Sequence, residues 1–194
     1  MATGPKGGGL VSHFVAMAGN NAWSNHRLLS ACKALTPAEF AERRTGFFPS
    51  LRATLNHILW VDIYYIDALS RDPTVLQRYS DPPPDFPDAH QLYEAQRKSD
   101  RRLIDFCERQ TESSLAEGLV LPRPNRTPPA SSVASILEHL FQHQIHHRGQ
   151  AHAMLSSTSV KPPQLDEFLM PSDAPTRVAD LVALGWTERT VFPA

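Results

Sequence analysis

The chain is short of the features that mark several large classes of protein. It has two cysteines in 194 residues, Cys32 and Cys107. They lie far apart and form no CxxC, so no disulfide framework is legible. Both are expected as buried small hydrophobes in a reducing compartment. Neither sign of charge dominates, since nineteen Lys and Arg face twenty Asp and Glu for a formal net charge of −1. Without a basic field, nucleic acid is excluded as a partner. Without an acidic excess, so is a solvated disordered chain. No apolar run reaches bilayer length, and the Gly-rich stretch 1–9 lacks the apolar core of a signal peptide. The expectation is a cytoplasmic protein with no membrane partner, disordered over residues 1–9. Strand signals are too few for an α/β sheet.

What is present is helical periodicity broken by clear punctuation. A first helix runs from about Leu10 to Leu35 and ends at Thr36-Pro37. A second opens with Ser50 as N-cap and continues to Leu69, apolar on nearly every side around Trp60 to Ile66, which marks it for deep burial. The run DPPPDFP at 81–87 cannot be helix interior. A third helix follows, from about Asp88 to Gln110. Its narrow apolar face and its charges Arg97, Lys98, Asp100, Arg101 and Arg102 predict that it is the most exposed of the four. The Pro-rich stretch 111–130 has room for one short strand at Leu119 to Leu121. The fourth helix starts near Ser131 or Ser132 and ends near Leu155. The fold class is therefore all-α, a four-helix bundle over residues 10–157 with a C-terminal extension, 158–194, packed on it and carrying a short helix near Val178 to Leu184.

Histidine is the abundant residue that matters. The chain has nine, and five fall between His139 and His152. In the fourth helix, steps of three and four link Ile136, Leu140, His143, His147, Ala151 and Met154. His143 and His147, four apart, share one face and sit in the middle of a buried stripe. Two imidazoles at that spacing can converge on one metal ion, as in the helical HExxH motif. The alternative is a pair of core histidines bonded to other groups, since a buried imidazole without a partner is costly. His139 and His146 fall on a neighbouring face, interleaved with Gln142 and Gln150, that is expected to be polar or to face another subunit. A third ligand must come from a facing helix, and His57, inside the most apolar helix, is the best placed. His13, His26 and His90 lack so apolar a setting. Gly149 is expected at a close helix contact.

Two stretches carry a resemblance. Leu55-Asn56-His57-Ile58-Leu59-Trp60 and His143-Gln144-Ile145-His146-His147-Arg148-Gly149-Gln150 are similar to the two signature motifs of the DinB (YfiT-like) superfamily of metalloenzymes. Asn20-Asn21-Ala22-Trp23-Ser24-Asn25 resembles that family's first helix, and Pro162-Pro163-Gln164-Leu165-Asp166 the segment after its last. The resemblance covers about residues 11–170. It implies an up-down-down-up four-helix bundle, usually a homodimer. It also implies one divalent ion per subunit on three histidines, which fall on His57, His143 and His147. Zinc and nickel lead, and imidazole-only ligation does not separate them from iron, manganese or copper. The tail after about residue 170 and the Pro-rich stretch 111–130 depart from the family pattern.

Three imidazoles leave an open position on such an ion. The resemblance implies transferases and isomerases that use low-molecular-weight thiols, and the metal chemistry adds a hydrolase, so the expectation is a metal-dependent thiol transferase or hydrolase. The sequence offers no convincing general base, with His146, Glu138 and Tyr64 as the candidates. The competing readings are a non-catalytic metal-binding stress protein and a structural homodimer.

Overall fold

The structure, a computed structural model, describes residues 9–81 and 84–188. The N-terminal stretch expected to be disordered lies outside these residues, Gly9 excepted. In chain order the elements are α1 (Leu10–Cys32), α2 (Pro37–Ala41), α3 (Leu51–Leu69), α4 (Val75–Ser80), α5 (Ala89–Glu108), α6 (Glu112–Ala116), β1 (Gly118–Leu119), β2 (Ser131–Ser132), α7 (Val133–Leu155) and α8 (Ala174–Leu184). The protein is all-α apart from the two-residue antiparallel ladder of β1 and β2. None of the described helices is long and apolar enough to cross a membrane.

The helix starts follow the side chains that satisfy their first N–H groups. Ser50, Asp88 and Ser132 accept from the first turns of α3, α5 and α7. Thr36 and Glu39 form a reciprocal capping box that converts the end of α1 into the short α2. The stretch 111–130 holds more structure than one strand, because Thr111 caps Ser114 and nucleates α6 before β1.

The four long helices pack as a ring, with α1 and α3 each resting on both α5 and α7. Their apolar residues fall into two clusters. One contains Phe14, Ile66, Leu103 and Leu137, and the other Leu28, Leu55, Leu92 and Leu155. Helices α1 and α7 pass from the first cluster to the second, while α3 and α5 pass from the second to the first. Between the clusters each helix contributes polar side chains. Arg148 donates to the Oδ1 atoms of Asn21 and Asn25. Their amides donate to Asp100 Oδ1, at 3.3 and 2.9 Å. Gln96 Nε2 donates to both Asp100 Oδ1 (3.0 Å) and Asp62 Oδ2 (2.8 Å). Burial pushes Asp62 well above the usual carboxylate range, lifts Asp100 to about 6, and lowers Arg148 to about 10.

Helix α5 is the most exposed of the four long helices, as its charges predict: eight of its 20 residues are exposed, against eight of 23 in α7, three of 23 in α1 and none of 19 in α3. Its narrow apolar face is nevertheless extended inward by Gln96 and Asp100, which the network makes tolerable in the interior.

The C-terminal segment closes over α1. Trp23 packs against Phe168 with ring centroids 5.2 Å apart and planes tilted by 38°, and Leu181 joins them in a third apolar cluster. Asp180 of α8 accepts from Trp23 Nε1 (2.9 Å) and Arg27 Nε (2.7 Å).

Candidate metal centre

His57 is placed by α3 and His143 and His147 by α7, two helices that pack directly on each other. On α3, Leu55, Ile58 and Leu59 anchor the helix in the core, and Asn56 pins the segment before α5. Its Oδ1 accepts from Phe86 N (2.8 Å), while its amide donates to Phe86 O (3.1 Å) and Arg52 O (2.9 Å). On α7, Leu140 and Ala151 above and below the pair are fully buried. All six stripe positions therefore face inward, with His147 6% exposed and His143 half-buried.

One nitrogen from each of the three rings lies within 4.8 Å of the other two. His57 Nε2 and His143 Nε2 are 3.0 Å apart. The His147 ring is 4.7 Å from that of His57 and 4.5 Å from that of His143. In tetrahedral coordination, metal–nitrogen bonds of about 2.0–2.1 Å put neighbouring nitrogens roughly 3.3 Å apart, close to the 3.0 Å between His57 Nε2 and His143 Nε2. Burial and the neighbouring imidazoles lower His57 to about 4 and His143 to about 3. Burial lowers His147 as well, opposed by its bond to Gln150. All three are neutral at neutral pH, the state in which imidazole offers a lone pair to a cation.

The surroundings orient the rings unequally. Gln150 Oε1 lies 2.8 Å from His147 Nδ1, so His147 Nδ1–H can donate to it and leave Nε2 free. His143 Nδ1 is buried with no hydrogen-bond partner among the described residues. Phe48 covers one side, 4.3 Å from the His57 ring and 5.5 Å from that of His147. Its loop is held by Arg44, which donates to Glu39 O (2.8 Å) and Ser157 Oγ (3.1 Å). On the other side a cavity of about 620 Å³ is lined by His57 and His143 and extends past Trp60, Tyr64 and Arg123.

The match to known proteins agrees with this geometry. The DinB family model matches residues 10–178. The chain belongs to the DinB family. The protein DinB of Bacillus subtilis (strain 168) is 23% identical over 139 residues, 70% of this chain and 80% of that protein. A DinB-like protein from Bacillus cereus ATCC 10987 has a crystal structure that superposes with a TM-score of 0.55 at 16% identity, covering 73% of this chain and 90% of that one. That likeness is one of fold.

In this DinB-family chain the histidines selected by stripe and spacing, His57, His143 and His147, come together. The others do not join them. His26 bonds Tyr93 Oη at 2.7 Å, His139 is exposed beside Tyr65, and His90 and His13 lie elsewhere. Of the candidate bases, His146 is exposed and bonded to Gln150, and Glu138 is exposed. Tyr64 lines the cavity, but its hydroxyl donates to Pro122 O at 2.6 Å. Gly149 is not at a close contact: a side chain there would meet nothing within 4 Å, because it lies on the exposed row of α7 beside Ile145 and His146. Phe48 and Arg123, which border the cluster and its cavity, gave no usable signal in the sequence, and Gln150 stood in the second motif without a role. Phe48 and Arg123 lie in connections, and Gln150 contacts the site only through His147 Nδ1.

Proposed function

We propose that this chain is a metal-dependent enzyme of the DinB family that holds one divalent ion per subunit, zinc or nickel, on His57, His143 and His147. The observation that carries the reading is the cluster's open side. Two of the three neutral imidazoles, His57 and His143, border a cavity, and no fourth His, Cys, Asp or Glu joins the group among the described residues. A structural site would be closed by a fourth protein ligand. A bound divalent ion supplies Lewis acidity, lowering the pKa of a coordinated water or thiol so that it is a nucleophile near neutral pH. The chain's own contribution is positional. Gln150 fixes the His147 ring, Phe48 shields one face from water, and the cavity admits the second reactant beside His57 and His143. The reaction class is thiol transfer or hydrolysis, with a low-molecular-weight thiol as the favoured co-substrate and a homodimer as the working unit.

Metal content per subunit, measured by mass spectrometry on untagged protein, tests the site. About one equivalent in the wild type, lost in His143→Ala, is the expected result. No metal after reloading with zinc or nickel would overturn it. Turnover of thiol and ester substrates should fall in His57→Ala, and unchanged turnover would count against the enzyme reading.

A further inference from the structure

The cavity beside the histidines also carries arginines, and one of them is different. Arg78 pairs with Asp67 at 2.9 Å and with Asp72, and Arg102 pairs with the same Asp67. Arg123 has no carboxylate in ion-pair distance among the described residues. Its contacts are aromatic. The guanidinium stands 4.6 Å from the ring centre of Tyr64 and 5.8 Å from that of Tyr79, and one N–H reaches Tyr65 Oη at 3.4 Å.

The backbone beneath it is held in place. Tyr64 Oη donates to Pro122 O. The turn at 123–126 is closed by an antiparallel bridge between Arg123 and Arg126, with Asn125 in the left-handed region at φ 61°, which asparagine tolerates. A guanidinium held by ring faces keeps most of its five donors. Its planar fork matches a carboxylate in two parallel hydrogen bonds. A half-buried cation left unpaired in a cavity of small-molecule size is the arrangement that selects an anion.

Helix geometry sets the span. His57 and Tyr64 are seven residues apart on α3, roughly 10 Å along the axis. We propose that Arg123 is the anion-binding residue of this cavity, and that the molecule bound there is an elongated organic carboxylate. Its acid group would sit on Arg123 and its reacting end at His57, His143 and His147, roughly 10 Å away. The placement of the reacting end rests on the function proposed above, whereas the anion site stands without it.

The test uses ω-mercaptoalkanoates of increasing chain length and the ω-mercaptoalcohols of matching length, titrated into cobalt(II)-loaded protein and followed by thiolate–cobalt absorption. The carboxylates should bind the wild type about tenfold or more tightly than the alcohols, with one best length. Arg123→Gln should abolish that preference while the alcohols bind as before, and Arg123→Lys should retain part of it. Equal binding of acids and alcohols to the wild type, or a preference that survives Arg123→Gln, would overturn the proposal. A second arm separates it from the metal reading: octanoate is titrated calorimetrically into metal-free protein. It should bind the wild type and bind Arg123→Gln about tenfold more weakly. No binding to the wild type, or equal binding to both, overturns the assignment even if cobalt never binds.

Discussion

Replacing Gln150 with alanine separates metal-ligand orientation from folding. Gln150 Oε1 accepts a hydrogen bond from His147 Nδ1–H at 2.8 Å, which leaves the lone pair of His147 Nε2 for a cation. Removing such an acceptor typically lowers metal affinity about 10–100-fold, or about 1.4–2.7 kcal/mol. The fold has little at stake in the same change. Gln150 is half-buried, its other bond goes to the exposed His146, and alanine is the better helix former. Unfolding of the metal-free protein should therefore shift by less than about 0.5 kcal/mol. Competition of zinc between the protein and a chromophoric chelator reads the affinity, and urea melts after chelation read the stability. His146→Ala keeps the Gln150–His147 bond and should leave affinity within about threefold of the wild type. An unchanged affinity in Gln150→Ala, or a metal-free stability that falls in step with it, would refute the argument.

Asp100→Asn probes the buried polar layer. Burial holds Asp100 at about 6 against 3.8 in an unexceptional setting. The folded state thus keeps a proton that the unfolded chain has released, and the stability this contributes below about 3.8 is lost as pH rises through about 6. Asparagine preserves the Oδ1 acceptor and does not ionise. Its unfolding free energy relative to the wild type should rise between about pH 4 and pH 6.5 by on the order of 3 kcal/mol; chemical melts giving a difference flat with pH would contradict this. Phe168→Ala should cost about 3–5 kcal/mol, lowering the melting temperature by roughly 6–20 °C, because Phe168 is fully buried against Trp23; a calorimetric shift under about 2 °C would show that the C-terminal segment adds little to the fold. Burial pushes the Cys32 and Cys107 thiols up to about 12, so iodoacetamide at about pH 8 should label neither in the native protein and both in denaturant; native labelling would refute their burial.

Sequence alone carried the parts of this protein that depend on local chemistry. Capping residues and prolines act within one turn of chain, so Ser50, Asp88 and Ser132 were legible as helix starts. The i, i+4 spacing of His143 and His147 within an apolar stripe is a property of one helix, and His57 was legible because the helix around it is apolar on nearly every side. Only the tertiary structure could decide what depends on neighbours distant in the chain. Asp100 reads as surface charge until Asn21, Asn25 and Gln96 are seen to donate to it. Arg148 matches a motif without a role until it reaches α1 across the core. Gly149 reads as a packing glycine until its helix face proves open. Arg123 is one arginine among many in a Pro-rich connection until the fold sets it on Tyr64, 59 residues earlier in the chain. Whether a charge is paired or left for a ligand is settled by which side chains the packing brings within a few ångströms, and periodicity along a single helix does not encode that.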